Sequence, residues 1–111
     1  MRRVGFILYP GYSMMSLSVV TVFEVANLTT ETPVYDVRFL SEHGGPVLTS
    51  VGMHVQTEPF DESAFDTLIV GGGTEIETST PGLIDFVRAG VGRARRMAAV
   101  CTGAFVLAEA G

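Results

Sequence analysis

The amino-acid sequence predicts an α/β fold built on a doubly wound, mostly parallel β-sheet. Short apolar segments, typical of strands buried on both faces, alternate along the chain with segments of helical periodicity. The apolar segments end in glycine-rich or otherwise small turns, where the connections from parallel strands to helices begin. With 111 residues, 47% of them hydrophobic, the chain has enough apolar material for the core of one domain.

The first three predicted elements are a strand, a helix and a second strand. Residues 4–9 form a continuous apolar run that a Pro-Gly pair stops, which indicates a buried strand. A helix is predicted from a cap at Ser13 to about residue 28. Because this helix is apolar almost all round, we expect the sheet to cover one side and a second subunit to cover another. The next strand is predicted over residues 34–40.

The middle of the chain predicts a small β-hairpin and another buried strand. Two short β segments, residues 47–50 and 53–57, are joined at a Val-Gly pair, which favours a hairpin inserted beside the main sheet. Residues 67–70 then form a buried strand that ends at the triple glycine 71–73.

The last third predicts a helix, a strand and a final helix. Pro81 favours a helix start, and the inner face of this helix is expected to hold Leu83, Phe86, Val87 and Val91. The last strand is predicted at residues 97–100, and the final helix starts just after Cys101. Since that helix reaches Gly111 after only about two and a half turns, we expect the natural polypeptide to continue, with this chain as the N-terminal part of a longer domain.

Charge and composition limit the classes of function. A net charge of −5 disfavours a direct grip on a nucleic-acid backbone, so DNA is expected to be contacted only through another domain. No apolar run approaches the ~20 residues of a membrane helix and no signal peptide is recognisable, which predicts a cytoplasmic chain with no membrane partner. One cysteine and two histidines predict no disulfide and no metal site, and no cofactor is expected.

Three loops should meet at the carboxyl ends of the predicted strands, since the ligand sites of open α/β sheets form there. These loops comprise residues 9–16, 71–75 and 101–102. From them we predict a ligand pocket formed by Gly11, Ser13, Ser16, Gly72, Gly73, Glu75, Cys101 and Thr102.

Cys101 lies at the predicted turn from the last strand into the last helix. A nucleophile elbow requires small residues two positions before and after the reactive residue, and Ala99 and Gly103 occupy these positions. The helix N-terminus would favour the thiolate, and a backbone N–H of the triple glycine beside that of Thr102 would form an anion pocket. The alternative interpretation is that Cys101 is a small buried hydrophobic residue.

Four segments, in order and suitably spaced, resemble the ThiJ/PfpI superfamily, whose domains share the class I glutamine-amidotransferase-like fold. They are "VGFILYPGYSMMSLS", "VYDVRFLSEHGGPV", "FDTLIVGGG" and "AVCTGAFVLAEAG". The pieces "SMMSLS", "VFEVAN" and "VCTGAFVLAEAG" are most similar to the N-terminal domain of AraC-family transcriptional regulators. The resemblance implies a flavodoxin-like sheet over residues 1–111 and a helix-turn-helix DNA-binding domain downstream of this chain.

The resemblance also implies roles for particular residues. Cys101 matches the position of the family nucleophile, and Gly72 and Thr102 match its backbone donors. Enzymes of the superfamily, such as isocyanide hydratases, carry an Asp or Glu in the loop after the first strand, where this chain has Ser16. Protease-like members have a histidine directly after the cysteine, where this chain has Thr102. A nucleophile without a base or an orienting acid is poorly equipped for turnover.

The preferred interpretation is therefore a ligand-sensing, dimerising domain with a non-catalytic cysteine pocket for a small metabolite, acting as a homodimer. Three alternatives stay open. The chain could be a cysteine-dependent enzyme, such as an isocyanide hydratase, an amidase or a glyoxalase-like hydrolase using Cys101. It could be a thiol redox sensor, which needs only an exposed cysteine of low pKa. It could also be a purely structural dimerisation module in which Cys101 is buried and inert.

Overall fold

A computed structural model describes residues 2–60, 65–72, 80–100 and 103–110. Along these ranges the chain forms six strands and four helices. The strands are β1 (Arg2–Ile7), β2 (Tyr35–Ser41), β3 (Gly45–Leu48), β4 (His54–Pro59), β5 (Thr67–Val70) and β6 (Arg96–Ala99). The helices are α1 (Met14–Leu17), α2 (Val20–Thr29), α3 (Pro81–Arg93) and α4 (Gly103–Ala110).

The six strands form one sheet in the order β3-β4-β2-β1-β5-β6. All neighbouring pairs are parallel except β3 with β4. The central strand β1 has Phe6 opposite Phe39 of β2 on one side and Ile69 of β5 on the other. The predicted α/β class with a mostly parallel sheet is confirmed.

The predicted hairpin is present at one edge of the sheet. Strands β3 and β4 pair antiparallel, with Val47 opposite Val55. The hairpin is not separate from the main sheet, because β4 also pairs parallel with β2 through Leu40 opposite Glu58. The positive φ of Gly52, 86°, allows the left-handed backbone in the loop between the two strands.

Helices cover both faces of the sheet, as a doubly wound fold requires. Alternate residues of β1 point to opposite faces, so Phe6 and Ile7 belong to different core clusters. The cluster around Phe6 receives Leu17 and Phe23 from α1 and α2. The cluster around Ile7 receives its buried helical residues, Leu83, Val87, Val106 and Ala110, from α3 and α4.

The helix predicted over residues 13–28 differs from the structure in two ways. It is divided into α1 and α2, and α2 contains no buried residue. The side chain of Phe23 packs edge-on against Phe6, but Val22 and Leu28 are 65% and 76% exposed. The sheet therefore covers one side of α2, and no group in the described part of the chain buries its outer side.

Helix α3 begins where the sequence predicts and packs differently at its end. The Thr80 hydroxyl caps the helix by accepting the N–H of Leu83 at 3.3 Å. The prediction that Val91 lies on the inner face is wrong, since Val91 is 57% exposed. Gly90 takes the inner position, where a Cβ would lie 2.8 Å from a methyl group of Leu68, so the helix packs against β5 closely.

Candidate functional site

The loop after β1 and the loop after β5 meet at the carboxyl end of the sheet, as the sequence predicts. The backbone N–H of Ser13 donates to the carbonyl of Gly72 at 2.8 Å. In return, the N–H of Gly72 donates to the Oγ of Ser16 at 2.9 Å. Two hydrogen bonds of opposite direction therefore join the two loops through one glycine.

Ser16 lies inside this junction rather than at its surface. The residue is only 1% exposed and belongs to α1. The resemblance to the superfamily places a catalytic acid at this position, and here a neutral hydroxyl occupies it. An oxygen atom approaching the N–H of Gly72 would have to compete with the serine, so the predicted role of Gly72 as a donor to a ligand stays a prediction.

Gly71 is surrounded by two tyrosines that the sequence reasoning did not select. The Tyr9 hydroxyl donates to the carbonyl of Gly71 at 2.6 Å. A Cβ at position 71 would also collide with the hydroxyl and ring of Tyr12. The spacing Tyr9-Pro10-Gly11-Tyr12 was the available signal, because it places two aromatic residues with polar ends in the loop predicted to line the site.

Tyr12 is completely buried, and its hydroxyl has no hydrogen-bond partner among the described residues. Burial raises the pKa of this hydroxyl well above its ordinary value, and the neighbouring Tyr9 adds to the effect. The phenol is therefore neutral over the physiological pH range and keeps a proton to donate.

Gly11 and Tyr12 fix the first loop to the hairpin. Gly11 has a φ of 86°, a left-handed conformation that favours glycine, and its N–H donates to the carbonyl of Leu48 at 2.9 Å. The carbonyl of Tyr12 accepts the N–H of Ser50 at 2.9 Å. The turn at Gly11 therefore has a structural reason, and its predicted contact with a ligand stays a prediction.

Gly103 begins α4 directly against the end of β5. A Cβ at this position would collide with the carbonyl oxygen of Val70 and lie 3.0 Å from that of Gly71. The N–H of Gly103 donates to the carbonyl of Val100 at 3.0 Å, and Val100 donates to Val70 at 2.9 Å. The small residue that an elbow requires at position 103 is thus explained by close approach of two backbones.

Four predicted site residues lie outside the described residues, namely Gly73, Glu75, Cys101 and Thr102. The positive end of the α4 dipole lies at Gly103, next to Gly71, and favours a negatively charged or electron-rich group there.

In the described ranges, no three His, Cys, Asp or Glu side chains are grouped as metal ligands would be. Within the same ranges, no helix is long and apolar enough to cross a membrane.

Comparison with known families shows where the chain belongs. Residues 2–111 match the sequence profile of the DJ-1/PfpI family. The chain belongs to this family. The match extends over both halves of the sheet and every helix, so the DJ-1/PfpI assignment covers the whole described fold.

Several relatives of this DJ-1/PfpI chain are transcriptional regulators. The HTH-type transcriptional regulator GbdR of Pseudomonas aeruginosa is 34% identical over 114 residues, which is 99% of this chain and 31% of that protein. The crystal structure of an AraC family transcriptional regulator from Pseudomonas putida superimposes with a TM-score of 0.81 at 28% identity, over 97% of this chain and 69% of that one. The chain thus spans about a third of GbdR. The predicted resemblance to AraC-type regulators is confirmed.

Another relative of this DJ-1/PfpI chain differs in length. An uncharacterized protein in the cpoL 5′ region of Streptomyces lividans is 38% identical over 115 residues. The match covers 99% of this chain and 80% of that protein. DJ-1/PfpI sequences similar to this one therefore occur both in long regulators and in a protein that the match nearly fills.

Proposed function

We propose that this chain is the effector-sensing domain of an AraC-type transcriptional regulator, and that DNA is bound by a helix-turn-helix domain elsewhere in the polypeptide. The similarity to GbdR and to the Pseudomonas putida regulator supports the regulator class. The net charge of −5 supports the separation of sensing from DNA contact. The regulator acts in the cytoplasm, where its DNA is.

The observation that carries the non-catalytic part of the proposal is the hydrogen bond between Ser16 and Gly72. A carboxylate at position 16 could orient a thiol or accept its proton, whereas a neutral serine hydroxyl does neither efficiently. Here the Oγ of Ser16 instead accepts a backbone N–H and holds two loops together. A pocket built in this way can bind a metabolite without converting it.

The outer side of α2 supports a dimeric regulator. Val22, Val25 and Leu28 follow one another at three-residue spacing and are 65%, 49% and 76% exposed. An apolar stripe of this kind on a helix is stabilised when another helix covers it. We propose that a second copy of the protein covers it, and that binding of the effector changes the arrangement of the two copies.

The proposal is tested with the complete gene product and its Cys101→Ala variant. The promoter fragment that the protein binds would be selected from genomic DNA, and its affinity measured with and without fractionated metabolites. A sensor shows an effector-dependent change in DNA affinity that survives Cys101→Ala, with no chemical change in the effector. A gene product that binds no DNA, or an effector response that Cys101→Ala abolishes together with conversion of the effector, contradicts the proposal.

One observation favours an alternative, a cysteine-dependent enzyme such as a hydratase, amidase or glyoxalase-like hydrolase. Gly103 packs so closely on the carbonyl of Val70 that only a small residue fits there. A nucleophile elbow requires a small residue at this position, because its turn is sharp. The rate of Cys101 alkylation against pH separates the candidates. A thiol pKa at or above the free-cysteine value of ~8.5 contradicts both the enzyme and the redox sensor.

A further inference from the structure

The Tyr12 hydroxyl is the buried polar group of the described structure that the fold does not satisfy. The side chain is 0% exposed, and its oxygen has no hydrogen-bond partner within the described ranges. A buried hydroxyl without a partner lowers stability, and native proteins keep few of them. A phenylalanine would fill the same space without this cost, so packing alone does not account for the hydroxyl.

The hydroxyl lies at the junction of the loops that form the candidate site. It contacts Gly71, whose carbonyl already accepts the Tyr9 hydroxyl at 2.6 Å. Gly103, the first residue of α4, packs against the carbonyl oxygen of this same Gly71. Tyr12 is therefore separated from the N-terminus of α4 by a single glycine.

The chemistry of this position favours an acceptor oxygen as the missing partner. A neutral phenol carries one proton to donate, and the N-terminus of α4 attracts electron-rich groups. A cationic group would be repelled by the same helix end. We propose that the Tyr12 hydroxyl donates a hydrogen bond to a carbonyl or carboxylate oxygen of the small molecule that the site binds, and that it selects for molecules carrying such an oxygen.

This inference rests on the proposed function only in calling that small molecule the effector. Since Tyr12 is fully covered, an entering oxygen has to displace part of its cover. Binding at Tyr12 then requires movement of the residues that cover its hydroxyl, which include Gly71.

The experiment uses the full chain labelled with ¹³Cζ-tyrosine and uniformly with ¹⁵N, and titrated with sodium acetate at constant ionic strength. Acetamide is the neutral probe with a carbonyl oxygen, and methylammonium chloride is a cation of similar size without an acceptor. The sequence contains three tyrosines, so the Tyr12 signal is assigned as the one missing from Tyr12→Phe. Affinity for Tyr12→Phe is followed through the backbone amides of Gly71 and Gly72. Tyr35→Phe, which removes a hydroxyl at the opposite end of the sheet, is the matched control.

The Tyr12 signal is expected to shift saturably with acetate, with acetamide or with both, and not with methylammonium. A response to acetate alone assigns a carboxylate, and a response to both assigns any carbonyl oxygen. Loss of one hydrogen bond in Tyr12→Phe weakens the affinity about tenfold, whereas Tyr35→Phe retains it. In the absence of a probe, Tyr12→Phe unfolds at the same or a higher temperature, because the unsatisfied hydroxyl is gone.

A Tyr12 signal that neither acetate nor acetamide moves overturns the inference, as does equal affinity in Tyr12→Phe and the unaltered chain. These outcomes are separable from failure of the proposed function. If the complete protein binds DNA and Tyr12→Phe responds to its effector at the same concentration, the regulator stands and the role of Tyr12 falls. If Tyr12 binds acetate in a protein without DNA-binding activity, the site stands and the regulator falls.

Discussion

The Oγ of Ser16 accepts a 2.9 Å hydrogen bond from the backbone N–H of Gly72, across 56 residues of sequence. Both residues are buried, so water cannot replace either partner. The bond connects the first loop of the chain to the loop after β5. Its acceptor, Ser16, stands at the position where the resemblance to the superfamily implies an acid in the enzymes. The stability of the loop junction and the absence of an acid are therefore two consequences of one residue.

Ser16→Ala is expected to destabilise the chain by about 1–3 kcal/mol, because the N–H of Gly72 is then buried without an acceptor. The free energy of unfolding from urea denaturation measures the effect. Ser50→Ala is the matched control, since Ser50 is exposed and the change should lie within about 0.5 kcal/mol. Equal stability of the two variants would contradict the structural role of Ser16.

Gly103→Ala is expected to destabilise the chain by about 1–3 kcal/mol, because the added methyl group collides with the carbonyl of Val70. Gly92→Ala is the control within α3, where a Cβ would have nothing within 4 Å. An alanine there is expected to stabilise the helix by about 0.5 kcal/mol. The melting temperatures should therefore move in opposite directions, and a common direction would show that the close approach at Gly103 is tolerated.

The strands were predictable because their signal is local. Residues 68–70 form an apolar run that stops at the triple glycine 71–73, and the structure has β5 at Thr67–Val70. The junction at Gly71 was not predictable in the same way, because its contacts join distant parts of the chain. The bond from Tyr9 to Gly71 spans 62 residues, and only the folded sheet brings the two together.

Helical periodicity likewise predicted which segments are helical and missed how they pack. The apolar pattern over residues 13–28 gives no sign of the division between α1 and α2, since both parts continue the same composition. Position 91 has the spacing of an inner residue, yet Gly90 faces β5, because the close approach of α3 there leaves no room for a side chain. The periodicity of a sequence reflects the type of side chain at each position and does not show how closely the helix approaches the sheet.

Thr80→Ala is expected to destabilise the chain by about 1 kcal/mol through loss of the cap of α3. The Thr80 hydroxyl accepts the N–H of Leu83 and donates to a carboxylate oxygen of Glu42 at 3.0 Å. Thr21→Ala, an exposed threonine within α2, is the control and should leave stability unchanged or slightly raised. Thermal unfolding followed by circular dichroism compares them; a loss no larger for Thr80→Ala than for Thr21→Ala would exclude the cap.

Above pH 10, the unaltered chain is expected to lose stability more steeply than Tyr12→Phe. Burial raises the pKa of Tyr12 in the folded state above the ordinary value of 10.0, so the unfolded chain releases this proton first. Ionisation of Tyr12 does not affect the free energy of unfolding below pH 10, and above pH 10 it lowers this free energy by up to about 1.4 kcal/mol per pH unit. Denaturation of both proteins between pH 8 and about 12 measures the difference, in which all other groups cancel. Parallel curves would mean that Tyr12 ionises equally in both states.

Val22→Glu is expected to raise the dissociation constant of the proposed dimer at least about tenfold, because it places a charge in the apolar stripe of α2. Val22 is 65% exposed within the single chain, so the substitution should leave the fold intact. Val51→Glu provides the matched control, since Val51 is 68% exposed and lies in the hairpin turn, away from α2. Sedimentation equilibrium measures both. If the two variants associate equally, or if the unaltered protein sediments as a monomer at every concentration tested, a second copy does not cover α2.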